Sequence, residues 1–233
     1  MTPPLIAQLS DPHIRLEDET THAMLAAAVD RVLALKPLPD AVLVTGDIAN
    51  SGDPAEHALA AEIWSRLPMP VHTLAGNHDL LGDRTQYAVT VNGLRLVACD
   101  TSVHGRDDGA LDVEWLAATL DEDRETPTLV AMHHPPFEVG LPWLDEIGLP
   151  AADREALAGL LARSPQVKRV AAGHVHRTIA DSLGGCAAVT CTSTNVQAAL
   201  DFAGAEMALT TEPPSLLVHA LLGGRIVSHV QPI

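Results

Sequence analysis

The chain has 233 residues, enough for one sizeable α/β domain and short for two independent ones. Hydrophobic residues make up 47% and aromatics 3%, so a full core is available and aliphatic side chains must build it. Lys and Arg number 14 against 30 Asp and Glu, a net charge of −16 that repels nucleic-acid backbones and anionic lipid headgroups and excludes both as extended partners.

The stretch LIAQLS at 5–10 predicts a strand, and a helix follows over 20–35, ending ahead of Pro37 and Pro39. AVLVTG at 41–46 predicts a buried strand, and Ser51-Gly-Asp-Pro opens a helix that runs through Leu67. VHTLAG at 71–76 is the third strand. Two apolar runs then flank Asn92-Gly93, which predicts a hairpin. A helix over 112–120, a strand at 128–133 and a helix over 153–163 come next. From Val167 the pattern turns to strands, at 167–172, 176–180, 186–191, 215–221 and 225–230, with Gly184-Gly185 and Gly223-Gly224 as turns. Alternating strands and helices followed mostly by strands predict an α/β fold. Two mixed β-sheets pack as a sandwich flanked by helices, a four-layer αββα arrangement. No linker-like stretch, repeat or low-complexity segment interrupts the chain, so a single domain over 1–233 is expected.

Cys99, Cys186 and Cys191 are odd in number, lie in apolar stretches and lack metal-type spacing, as free thiols in a reducing compartment do. MTPPLIAQLSD has no positive region and too short an apolar stretch for a signal peptide, and no apolar run reaches the ~18 residues of a membrane span. A cytoplasmic protein without a membrane partner is expected.

Polar residues of metal-binding type recur at one structural place, just after an apolar strand. Asp11 and His13 follow the first strand and Gly46-Asp47 ends the second. Gly76-Asn77-His78-Asp79 follows the third, His133-His134-Pro135-Pro136 ends the strand from 128, and Gly173-His174-Val175-His176 ends the strand from 167. Carboxyl ends of strands form the ligand crevice of open α/β sheets, so five such loops converge on one site. In Asp11-Pro-His13 and His174-Val-His176 the polar residues are two apart, which in extended backbone puts both side chains on one face. Carboxylate, amide and imidazole together suit Mn, Fe or Zn, and the lack of thiolate argues against a structural zinc.

This set, DPH, GD, GNHD, HHPP and GHVH in that order, resembles the calcineurin-like metallophosphoesterases from about residue 5 to 180. Asp100-Thr-Ser, His134 to Gly140, Asp145 to Leu149, Thr192 to Leu200 and Glu212-Pro-Pro214 resemble the branch holding bacterial class III cyclic-nucleotide phosphodiesterases and glycerophosphodiesterases. The resemblance implies that Asp11, His13, Asp47 and His176 hold one metal ion and that Asp47, Asn77, His133 and His174 hold the other. Asp47 is then the shared carboxylate. Two cations ~3.5–4 Å apart polarise a phosphoryl group and generate a bridging hydroxide at neutral pH. By the same resemblance His78 supports the leaving oxygen, and Asp79 orients its ring. Of the two adjacent histidines, His133 matches the family's His-x-Pro pattern and faces the crevice, which leaves His134 to pack behind it.

The implied activity is hydrolysis of a small phosphodiester, a cyclic nucleotide or a glycerophosphodiester, with two Mn, Fe or Zn ions. A phosphomonoesterase on the same site is the alternative; a nuclease is disfavoured by the acidic surface. A non-catalytic interaction module is disfavoured because all seven ligand positions and His78 are present. Homo-oligomer formation stays open. His22, His57, His72, His219 and His229 are expected on surfaces or satisfied in the core, remote from the motifs. His104 and Trp143 are left between packing and the substrate pocket. Leu80-Leu81-Gly82-Asp83, Ala49 to Gly52 and His57 depart from the branch pattern in loops that bear on substrate choice. No long insertion is present to form a lid, so an open site is expected.

Overall fold

The apolar runs become strands, and those at 5–9, 41–45, 94–98 and 128–131 are buried on both faces. The computed structural model describes residues 2–79, 86–204 and 206–233, so Leu80 to Asp83 lie outside the described residues. β1 (Leu5–Leu9) leads into α1 (Glu19–Leu33), β2 (Ala41–Thr45), α2 (Pro54–Trp64) and β3 (Val71–Leu74). Asp18 and Asp53 cap the two helices by accepting the Thr20 and Ala55 amides, and Pro54 sits in the first turn where its missing N–H costs nothing. β1, β2 and β3 are parallel neighbours.

β4 (Tyr87–Val91) and β5 (Leu94–Ala98) form the expected hairpin, with Asn92 and Gly93 at φ +47° and +83°. Positive φ at both central residues gives the turn the twist of its strands. α3 (Val113–Glu122) follows, capped by Asp112, then β6 (Thr128–Ala131), the short α4 (Pro142–Asp145), α5 (Ala151–Ala162) and β7 (Val167–Ala172). β8 (Ala180–Leu183), β9 (Cys186–Thr190), β10 (Gln197–Ala198), β11 (Leu209–Thr210), β12 (Ser215–Leu222) and β13 (Arg225–Pro232) complete the described elements. One sheet has the order β13-β12-β1-β2-β3 and the other β4-β5-β6-β7-β9-β8; β10 and β11 pair by themselves.

Strand alternation sorts the core into layers. Ile6, Leu43, Leu96, Leu129 and Ala171 meet between the sheets, whereas Ala7, Leu9, Val42 and Val44 face α1 and α2, and Val97, Val130 and Val170 face α3 and α5. This is the expected four-layer order, helices outside two mixed sheets. The interlayer is not wholly apolar. Gln8 donates to Thr45 Oγ1 and the Ala172 carbonyl, both at 2.9 Å, and buried His219 sits 3.0 Å from Gln8 Oε1.

The strand expected at 176–180 is corrected. His174 and His176 take φ +69° and +48°, which no strand admits, and pairing begins only at Ala180. Asp11 and His13 are likewise at φ +51° and +44°, so neither two-apart pair lies in extended backbone. The helix expected to reach Leu67 ends at Trp64. No helix among the described residues is long and apolar enough to cross a membrane.

Candidate metal centre

β1, β2, β3, β6 and β7 all deliver their polar residues past their carboxyl ends. Neighbouring loops are tied by backbone bonds: Asp11 N–H to the Gly46 carbonyl at 3.1 Å, His13 to Asp47 at 2.9 Å, and Gly173 to His133 at 2.9 Å. Two glycines make the approach possible. A Cβ on Gly76 falls 2.2 Å from Asp47 Oδ1, and one on Gly173 falls 2.1 Å from Ser10 Oγ and 2.8 Å from Asp11 Oδ2. Asp11, His13, Asp47, His174 and His176 are five of the six non-glycine residues with positive φ among the described residues. Each such conformation costs about 1–3 kcal/mol and persists where a site requires it.

The side chains gather in two groups that share Asp47. Asp47 Oδ2 lies 3.5 Å from His13 Nε2 and 3.4 Å from His133 Nε2. On one side His13 Nε2 and His176 Nε2 are 3.1 Å apart, with Asp11 Oδ1 3.5 Å from His176. On the other, Asn77 Oδ1 lies 3.1 Å from both His133 Nε2 and His174 Nδ1. Asp11 is fully buried, Asp47 nearly so, and among the described residues neither is paired to Lys or Arg.

Hydrogen bonds at the outer nitrogens fix what the inner ones present. His133 Nδ1 faces the Thr45 carbonyl and His176 Nδ1 the Val196 carbonyl, both at 2.8 Å. A carbonyl only accepts, so each Nδ1 carries a proton, and whenever the ring is neutral it is Nε2 that presents a lone pair inward. Lone pairs, carboxylate oxygens and an amide oxygen then face one another, an arrangement that needs cations. Without cations, protons take that place, because the carboxylates favour the charged form of the rings beside them. Burial opposes charge on His133, yet Asp47 beside it holds the ring up at about 9. His176 is raised against the same burial by Asp11. Asp47 is itself drawn well below the usual range by His133 and His13, although burial pushes the other way. His13, where burial dominates, is lowered to about 4 and is neutral. His174 Nε2 is buried with no hydrogen-bond partner. The donor set fits divalent transition metals, which satisfy both carboxylates and leave every imidazole neutral.

His78 stands beside this cluster. Its amide donates to Asp47 Oδ1 at 2.9 Å and its ring lies edge-on to His13, centroids 4.7 Å apart. Its Nδ1 is 2.7 Å from the Asn50 carbonyl, which turns Nε2 toward the cavity. The ring is therefore oriented by Asn50 and not by Asp79, which corrects the expectation. The Asp79 carboxylate accepts the Ile48, Ala49 and Gly76 amides at 3.1, 2.9 and 2.9 Å and so ties the Asp47 loop to the Asn77 loop. His57 Nε2 lies 3.3 Å from Asp79 Oδ1, so His57 is not remote from the motifs. His134 is buried with Nδ1 on Thr101 Oγ1 and Nε2 on the Asp107 carbonyl, and that burial lowers it to about 3. The Thr45, Asn50 and Val196 carbonyls carry no side-chain signal, and only the fold reveals them.

Above the cluster opens a cavity of roughly 370 Å³. Its floor includes His13, Asp47, Asn77, His78, His174 and His176, and Arg15, Asn50, Asp107 and Asn195 stand around it. Trp143 lines it; His104 does not. Arg177 is committed elsewhere, to the Ala198 carbonyl and to Glu212 at 3.0 Å.

The family model of the calcineurin-like phosphoesterases matches residues 4–178. The chain belongs to that family. It is a metal-dependent phosphoesterase, of a kind that works with two transition-metal ions. It is 30% identical to a probable glycerophosphodiester phosphodiesterase GpdQ of Arcobacter nitrofigilis, over 92% of this chain and 88% of that one. It is 32% identical to the 3′,5′-cyclic adenosine monophosphate phosphodiesterase CpdA of Pseudomonas aeruginosa, over 83% and 77%. A dimetal phosphatase from Danio rerio shares the fold at TM-score 0.76 and 15% identity, covering all of this chain and 97% of its own.

Proposed function

We propose that this phosphoesterase hydrolyses small phosphodiesters, with Asp11, His13, Asp47 and His176 holding one metal ion and Asp47, Asn77, His133 and His174 the other. The observation that carries this reading is Asp47 lying between two sets of inward-facing donors, within 3.5 Å of His13 and 3.4 Å of His133. When bound, the two ions supply Lewis acidity at the phosphoryl oxygens and bring water's pKa to the neutral range.

The protein's own groups do the rest. Thr45 and Val196 carbonyls hold His133 and His176 in the tautomer that leaves Nε2 free. Asn50 fixes His78 so that Nε2, when protonated, supports the leaving oxygen. Asp79 holds the loops bearing Asp47 and Asn77 at their spacing. A monoester carries more negative charge than a diester, and Arg15 is the one Lys or Arg among the described residues of the cavity lining. That count favours a diester, as do the diesterase names of the relatives.

We read the whole chain as one domain acting on small molecules and not on nucleic acid, given the net charge of −16. The three free, buried cysteines suit a reducing cytoplasm. The test is kcat/KM for bis(p-nitrophenyl) phosphate against p-nitrophenyl phosphate at equal Mn loading. The diester is expected to be preferred; a monoester preference across several metals overturns the diesterase reading and leaves the family assignment standing.

A further inference from the structure

The cavity above the metal cluster is polar on its floor and apolar on one side. That side consists of Trp143, Leu144 and Ile147 from α4 and its flank, with Val196, Met207 and Leu209 from the segment around the β10–β11 pair. Nine large hydrophobics are exposed among the described residues, and five of them, Val196, Leu200, Phe202, Met207 and Leu209, fall between 196 and 209. Val196, Met207 and Leu209 are the three of these that line the cavity, and exposed apolar side chains gathered at a cavity mark a binding surface. The wall is also tied to the chemistry. The Val196 carbonyl takes the Nδ1 proton of His176, and the Ala198 amide donates to the His176 carbonyl at 3.4 Å.

We propose that this wall receives a flat aromatic substituent of the phosphodiester, with Trp143 and Met207 as specificity-determining residues. The proposal rests on the diesterase reading above and narrows it. A Trp face and a thioether both favour an aromatic ring. A polyol placed there turns hydroxyls toward carbon and leaves them without partners, which costs affinity. A cavity of roughly 370 Å³ has room for a phosphoryl group and a ring system. Asn50 and Asn195 on the same lining can hydrogen-bond the ring's polar edge.

The test measures kcat and KM on Mn-loaded enzyme for thymidine 5′-(p-nitrophenyl phosphate), bis(p-nitrophenyl) phosphate and glycerophosphoglycerol, with the monoester p-nitrophenyl phosphate beside them. Wild type is compared with Trp143→Ala, Trp143→Phe and Met207→Ala. Met207 is 67% exposed, so its truncation keeps the experiment decisive if Trp143→Ala fails to fold. Trp143→Ala is expected to raise KM for both aromatic diesters about tenfold, with kcat little changed, and Trp143→Phe to restore most of it. Met207→Ala is expected to act in the same direction by about threefold, and both variants to affect the polyol diester far less. Equal losses for aromatic and polyol substrates, or none for either, overturn the proposal. So does a Met207→Ala protein with unchanged aromatic KM and a lower oligomeric mass by sedimentation, which gives the patch to a second copy of the chain. Wild-type preference for p-nitrophenyl phosphate over every diester is a different result, because it sinks the diesterase reading itself.

Discussion

At the scale of single residues, the cluster separates groups that hold charge from groups that hold geometry. Asp47 serves both donor sets, so Asp47→Ala is expected to lose at least one metal equivalent and all measurable turnover while remaining folded. Elemental analysis and a far-UV spectrum of the same sample check both halves. His78 belongs to neither set. His78→Ala is expected to keep its metals and lose about 10²–10⁴-fold in kcat, more for poor leaving groups than for good ones. A loss equal across leaving groups speaks against a role at the leaving oxygen. Asp79 is a positioning residue with three backbone amides on its carboxylate. Burial, and then Asp47, raise its pKa, so those amide bonds come at an electrostatic cost. Asp79→Ala leaves three buried donors unpaired at about 1–3 kcal/mol each. Metal affinity is therefore expected to fall together with thermal stability, while Asp79→Asn keeps part of both.

At the scale of elements, strand ends decide where the chemistry sits. A side chain at Gly173 meets Ser10, Thr45 and Asp11 within 2.8 Å, so Gly173→Ala is expected to part the ends of β1, β2 and β7 and release metal. Leu129→Ala, in the layer between the sheets, is expected to cost about 2–5 kcal/mol of stability while the folded fraction keeps its metals and rate. Denaturant midpoints read beside metal content separate the two behaviours. The same contrast shows what the sequence discloses. β1, β2, β6 and β7 are buried on both faces, and such strands announce themselves as unbroken apolar runs. Residues 176–180 also look strand-like, yet left-handed backbone at His174 and His176 breaks the pairing, because the loop must turn back over the site. α4 spans only four residues and β10 and β11 two each, too short for any periodicity to register. The motif residues were legible by type and order. Their orienting partners were not, because the partner of His78 is a main-chain carbonyl and the neighbour of Asp79 is a histidine 22 positions earlier in the chain.

At the scale of the whole molecule, the buried layer between the two sheets holds polar as well as apolar side chains, and this gives acid sensitivity a definite origin. His219 lies in β12, hydrogen-bonded to Ser228 Oγ at 2.8 Å and Gln8 Oε1 at 3.0 Å, and burial lowers it to about 3 from the usual 6.5. Between these values the unfolded chain takes up a proton that the native state does not, so stability falls as pH drops from about 6.5 toward 3. His219→Gln is expected to be less stable than wild type at pH 7, with the gap narrowing as the solution is acidified. Urea midpoints across that range provide the check, and a gap that widens in acid contradicts the assignment. The central claim is that two metal ions share Asp47. Electron paramagnetic resonance of the Mn-loaded enzyme tests it most directly, since ions ~3.5–4 Å apart are magnetically coupled. The account predicts two equivalents of Mn per chain with a coupled spectrum, replaced by an uncoupled signal or none in Asp47→Ala; two isolated Mn signals in the wild type would contradict it.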